Sequence, residues 1–449
     1  MSYKFPNGLY TDVRIEHVFS TAVDYTMREM KDVKESKYSA AFVRVYNGKM
    51  WYYASTSNLA GVQGEIDALA MLAQKDKQKL EDSQVYKNLI PHRDEVMTFF
   101  GREAFRVPLE EKIKLLQDVM PMLEDNCYIK MWRLFYRDEY VVKEFYSSKG
   151  AALKFDKQQV GFLASFTMQE DDRQIGGSIN SAGLEFKSLH NYASKLEEEK
   201  ARCQDVLLNS VPVEPGKYSV IFAPEVAGVF VHECFGHKSE SDFMLGDETT
   251  RKEWELGKRV GCDELNIIET GAFLGPGYVP YDDEGNKAGI TYLVKNGMLS
   301  GRLHNAETAA DLGEAVTGNA RAKNFEYEPM VRMTTTYIGA GSKTLDDLVS
   351  EMEDGVLLYD YKHGQGMSTF TIAPNIAYYI KNGKIDKPVR ISVVSGNVFE
   401  ALGDIDGLTD SVEFTDRTPG LGGCGKMGQF PLATGMGGPY IRVKNMTVA

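Results

Sequence analysis

Short, largely apolar runs rich in strand-forming residues occupy Ala40–Tyr46 and Met50–Ser55. Asn47-Gly48 between them completes a strand–turn–strand signal. Helical spacing follows over Glu65–Gln74 and over Leu109–Met120, where Pro121 predicts the stop. From Cys127 the pattern returns to strands. Cys127–Tyr136, Glu139–Ser148, Ala151–Gln158 and Val160–Gln169, separated by short polar or glycine-containing turns, predict an antiparallel meander. Leu184–Leu208 reads as one long amphipathic helix with its charged residues outward.

At Asn209–Lys217 two prolines and a glycine suit an extended linker, so a domain boundary is expected there. The predicted class is α+β. Residues 1–210 would form a domain of antiparallel sheet with helices, and residues 211–449 a mostly β domain. Near the start of the second, a strand over Tyr218–Phe222 leads into a helix opened by Pro224. Beyond about residue 265 short strands and turns dominate, with hairpin signals at Asn296-Gly297 and Asn382-Gly383. The glycine-rich run Gly420–Phe430 reads as a loop.

Composition narrows the function classes. Hydrophobic residues are 43% and charged residues 26% of 449, an ordinary globular balance. A net charge of -13 gives no basic footprint, so no nucleic acid is expected as a partner. The start of the chain lacks a basic segment followed by an apolar run, and no stretch approaches about 18 apolar residues, so neither export nor a membrane span is expected. Five widely spaced cysteines do not suggest a disulfide framework and fit a reducing cytoplasm.

Candidate chemistry concentrates in Val229–Asp242, VFVHECFGHKSESD, which holds two of the seven histidines. His232 and His237 are five apart. In a regular α-helix they would diverge by about 140° and could not share an ion. A π-type turn closes i to i+5 and would bring them to one side, and Gly236 permits that distortion. Glu233, beside the first histidine, suits a general base toward a water activated by the metal. A third ligand would still be needed, and Cys424, flanked by Gly423 and Gly425, is the candidate. The plainer alternative is a core helix with one hydrogen-bonded histidine, a surface Glu233 and a structural Cys424. Cys234 with His237 as a nucleophile pair lacks an orienting group. The glycine-rich run does not match a phosphate-binding loop, because Met427 follows Lys426.

Further motifs follow in order: Glu240 and Asp242, Asp-Asp-Glu-Gly at Asp282–Gly285, Thr-Gly-Asn-x-Arg at Thr317–Arg321, Pro-Met-x-Arg-Met-Thr at Pro329–Thr334, and Cys-Gly-Lys-x-Gly-Gln at Cys424–Gln429. With His-Glu-x-x-x-His they make residues from about 217 onward resemble the TldD/PmbA family, once called modulators of DNA gyrase, and its TldD-type metallopeptidase branch. The N-terminal half resembles it mainly in Thr11–Glu16 and the hairpin near residues 40–55. The resemblance implies a Zn2+-dependent peptidase with His232, His237 and Cys424 as ligands and Glu233 as base. It also implies a cytoplasmic dimer, either a homodimer or a heterodimer with a metal-free subunit, and an enclosed site taking extended or unfolded peptide. The family's other branch implies the alternative of a noncatalytic or regulatory subunit. Cys234, Phe235, Lys238 and Ser239, and the segment Lys362–Phe370, depart from the family pattern.

Overall fold

The structure is a computed structural model that describes residues 3–74 and 78–449. Its N-terminal half is organised by a seven-stranded sheet: β1 (Tyr10–Thr26), β2 (Glu29–Tyr46), β3 (Trp51–Thr56), β4 (Arg93–Val96), β5 (Ile129–Ser147), β6 (Ala152–Glu170) and β7 (Arg173–Gly183). The strands run in the order β3-β2-β1-β5-β6, and β4 and β7 both pair with β6. Only the β4–β6 pairing is parallel within this sheet.

Where four short strands were expected after Cys127, the chain forms two of 19 residues each. Polar residues that resemble turns are satisfied in mid-strand. Buried Asp138 receives Lys112 Nζ at 2.6 Å and Tyr136 Oη at 2.8 Å. Gln158 accepts from the Ala104 amide at 2.7 Å and donates to the Leu184 carbonyl at 2.7 Å. A strand can carry such residues through its middle once every polar atom has a partner.

Two helix boundaries also move. Leu109–Glu124 runs past its expected stop, with Pro121 inside the last turn and its carbonyl accepting from the Asp125 amide at 3.1 Å. A proline there removes one hydrogen bond rather than ending the helix. The long helix is Ala193–Asn209, preceded by a 3₁₀ turn at Phe186–His190. It buries Leu196, Cys203, Val206 and Leu207 in a core with Leu115, Val119, Phe162 and Phe166, which Ile376 joins from the C-terminal half.

The C-terminal half holds a six-stranded and an eight-stranded sheet. Val211–Pro212, within the expected linker, pairs in parallel with Lys384–Arg390 of the larger sheet. Asn296-Gly297 (φ 50° and 74°) and Asn382-Gly383 (φ 50° and 72°) turn hairpins in the left-handed conformation that favours these residues. The glycine-rich run is not all loop, since Cys424–Lys426 pairs with Gln429–Leu432.

The Asp282–Gly285 turn docks this half on the first. Asp283 lies 2.5 Å from Lys143 of β5 and 3.6 Å from Arg14 of β1, and Glu284 lies 3.1 Å from Arg44 of β2. At Gly285 (φ 82°) a Cβ would come within 2.6 Å of the Phe145 ring, so the docked turn requires glycine.

Candidate metal centre

From the strand Gly216–Phe222 the chain enters an α-helix, Pro224–Val229, with Pro224 in its first turn. Without a break this becomes a π-helix, Phe230–Gly236, followed by a short α-helical turn, His237–Ser239. The His237 amide donates to the carbonyl of His232, the i to i+5 closure that the histidine spacing requires. Gly236 lets the helix press on the neighbouring chain, because a Cβ there would lie 2.1 Å from Met333 Sδ. Phe230, Val231 and Phe235 anchor the turn in the core, and the Phe235 ring packs 4.6 Å from Trp254.

The wider turn brings the two imidazoles to one side, their ring centroids 5.2 Å apart. Cys424 arrives on its hairpin with Sγ 3.5 Å from His237 Nε2. One donor atom from each of His232, His237 and Cys424 lies within 4.8 Å of the others. Tetrahedral zinc with bonds of about 2.0–2.3 Å sets its donors about 3.3–3.8 Å apart, so these three fit such an ion with small adjustments. His232 Nδ1 is buried with no hydrogen-bond partner, as suits a ring with a role beyond the protein's own hydrogen bonding. Glu233 Oε2 lies 4.0 Å from His237 Nε2, with its side chain 32% exposed and so within reach of water.

Charge is arranged in layers around this cluster. Burial lowers the His232 pKa well below the ordinary histidine value, and His237 adds to the effect. For His237 burial acts downward too, but hydrogen bonds to Cys424 and Glu240 prevail and raise it to about 10. Burial raises the Glu233 pKa against the opposing pull of His237 and Arg417. Glu240, fully buried, accepts from His237 Nδ1 at 3.0 Å and from Lys426 Nζ at 3.0 Å. Lys426 also reaches Asp242 at 2.6 Å and the Val331 carbonyl at 2.9 Å. A carboxylate behind a histidine fixes its tautomer and ring orientation.

The remaining sequence motifs hold the cysteine hairpin in place. Arg332 donates to the carbonyls of Cys424 at 2.9 Å and Gln429 at 3.3 Å. Arg321 bridges the carbonyls of Met333 and Ala433 at 2.5 and 2.8 Å. Gln429 accepts from the Lys323 amide at 2.8 Å. Two of the departures from the family pattern have partners outside the cluster: Lys238 pairs with Glu253 at 2.9 Å, and Ser239 donates to the Gly236 carbonyl at 2.6 Å. Sequence reasoning missed Lys426 as a partner of Glu240, as well as Arg417 and Tyr361, which meet beside the motif helix at 2.9 Å. The one available signal for the first was the Lys in Cys-Gly-Lys, whose ammonium needs buried anions to sit there.

Comparisons with known proteins agree with this architecture. The family described as the PmbA/TldA metallopeptidase C-terminal domain matches residues 215–449, and its domain 1 matches residues 11–76. A metalloprotease of Synechocystis is 29% identical over 98% of this chain and 94% of its own length. A protein of Saccharolobus solfataricus named zinc metalloprotease TldD homolog is 28% identical over 98% of this chain and 96% of its own. Among solved structures, a Thermotoga maritima protein described as a modulator of a DNA gyrase superposes with a TM-score of 0.80 at 17% identity, covering 99% of this chain and 96% of that one. TldE from Thermococcus kodakarensis gives 0.77 at 14% identity, covering 98% and 96%. Among the described residues no helix is long and apolar enough to cross a membrane.

Proposed function

We propose, for a chain that belongs to the PmbA/TldD metallopeptidase family, that it is a zinc-dependent peptidase acting on extended or unfolded peptides. His232, His237 and Cys424 would hold the ion and Glu233 would act as base. The observation that carries this reading is the i to i+5 closure at His232–His237, which sets both imidazoles beside the Cys424 thiol. A relative named as a zinc metalloprotease supports the choice of ion.

When bound, zinc would supply Lewis acidity to water and to the peptide carbonyl. The protein's part is positional and protolytic. Glu233 takes a proton from the attacking water and later returns it to the departing amine. Glu240, steadied by Lys426, holds His237 in the tautomer that presents Nε2 to the cluster. The cluster lies between the motif helix and the glycine-flanked hairpin; on this reading it takes extended chain and excludes folded protein. The reading includes a paired assembly, as a homodimer or with a related metal-free subunit.

Metal analysis of the purified protein, with mass spectrometry of an unfolded protein digested by it, tests the reading. About one zinc per chain and new peptide ends are expected. A metal-loaded protein that cuts nothing would favour a noncatalytic subunit instead.

A further inference from the structure

Arg417 has no task in the chemistry above, yet it faces open space on two sides. It lines a cavity of about 500 Å³ that reaches Asn180, Glu225 and Asn375, and a second of about 220 Å³ that reaches Glu139, Lys157 and Gly423. Its Nη2 donates to Tyr361 Oη at 2.9 Å and touches Met436 Sδ at 3.3 Å. Its Nε is buried with no hydrogen-bond partner; the Glu225 carboxylate shares its cavity and is stabilised by its charge, but among the described residues no carboxylate is in ion-pair contact with it. A half-buried guanidinium with donors to spare is costly unless another acceptor uses them.

Neighbouring backbone fixes its place relative to the metal motif. Tyr361 lies on the strand Asp354–Gly366, which crosses the motif helix closely: a Cβ on Gly364 would lie 3.3 Å from Val229, and one on Gly366 2.9 Å from Cys234 Sγ. On the other side a Cβ on Gly422, two residues before Cys424, would lie 3.7 Å from Arg417 Nη1. The guanidinium is therefore held between the strand that packs on Val229 and Cys234 of the motif helix and the loop that leads into the Cys424 hairpin. Its charge is felt at the motif itself. After burial and His237, Arg417 is the next influence on His232 and on Glu233.

We propose that Arg417, held by Tyr361, is a catalytic residue that donates hydrogen bonds to the oxygen of the scissile carbonyl as that oxygen gains negative charge. The proposal rests on the zinc-peptidase reading. In the step, the water oxygen bonds to the carbonyl carbon, the carbonyl π pair moves onto oxygen, and the water's proton passes to Glu233. When the C–N bond breaks, its electron pair leaves with nitrogen, which takes that proton, and the carbonyl re-forms in the product acid. Arg417 stays protonated throughout and stabilises only the charge that appears and disappears. Open space on both sides of it suits a chain passing through rather than a terminus lodged at a blind end.

The test uses the full-length zinc-loaded protein and an internally quenched peptide blocked at both ends, taken from a cleavage site in an unfolded protein. Arg417→Met should lower kcat by about a hundredfold or more, the usual cost of losing such a donor, with KM within about threefold. It should also weaken a phosphinate analogue of the same peptide by a similar factor, while zinc content and thermal melting stay at wild-type values. Arg417→Lys should recover part of both losses. An unchanged kcat in Arg417→Met with normal zinc would overturn the assignment. So would a loss confined to peptides with a free C-terminal carboxylate, which would make Arg417 a clamp for chain ends. If the wild type itself cuts no peptide, it is the zinc-peptidase reading that fails.

Discussion

His237 Nε2 and Cys424 Sγ lie 3.5 Å apart although 187 positions separate them in the chain. One atom belongs to a distorted helix and the other to a hairpin clamped by Arg332 and Arg321, so the cluster ties two separately built elements together.

Replacing Cys424 with alanine should therefore sharply lower zinc content, read by metal analysis after dialysis. Cys234→Ala, Cys127→Ala and Cys262→Ala should keep it, because none of those thiols is in the donor group. Full occupancy in Cys424→Ala would remove that residue from the ligand set.

Glu233→Gln should abolish peptide hydrolysis with zinc and fold retained. The amide keeps the shape of the side chain but cannot accept the water's proton. Activity within about tenfold of wild type would assign the base elsewhere.

Lys426→Met should loosen zinc without removing a donor. It leaves buried Glu240 and half-buried Asp242 without their shared cation, and Glu240 then holds His237 less firmly. A weaker zinc affinity by about 10–100-fold is expected by chelator competition. Unchanged affinity would show that the lysine supports the fold alone.

A single small protein compared in its folded form and in a destabilised, unfolded variant should be cut only when unfolded. The expectation is that an extended peptide pairs its main chain with a sheet edge, whereas a folded segment must first open. Equal rates on both forms would exclude an enclosed site.

Acid should weaken the joint between the two halves. Burial works against ionisation of Asp283, but Lys143 and Arg14 overcome it and hold the carboxyl well below the usual range. A depressed folded-state pKa means that its stabilisation is complete above the unfolded value of about 3.9 and is lost as pH falls below it. Asp283→Asn, which leaves two buried cations unpaired, should lower thermal stability at pH 7 by about 3–5 kcal/mol, and the gap to wild type should narrow below about pH 4. Melting curves followed by circular dichroism across that range would show it, and a constant gap would mean that the ion pair contributes nothing.

The cluster was legible because its residue types are scarce and its spacing fails in an α-helix, which forces an irregular turn where Gly236 allows one. Much of the N-terminal sheet was not. Strand β1 carries Asp12, Arg14 and Glu16 within buried sequence, and their partners arrive from Arg44, Asp283 and Phe325, so no local alternation reveals the strand. Strand β7 is glycine-rich for a reason invisible along the chain: a Cβ on Gly177 would lie 2.4 Å from the Phe166 ring. Arg417 and Tyr361 share no motif and meet only through the fold.

The π-turn also changes how the spelling of such sites should be read. Seen as an insertion, Phe230–Gly236 is an α-helix into which one extra residue has been admitted and absorbed by a wider loop of backbone. A chain one residue shorter, closing i to i+4, would present two imidazoles about 40° apart, on the same side again. His-Glu-x-x-His and His-Glu-x-x-x-His are then two spellings that can set a pair of imidazoles side by side. A search keyed to either string passes over the other, whereas one keyed to the distance between donors finds both.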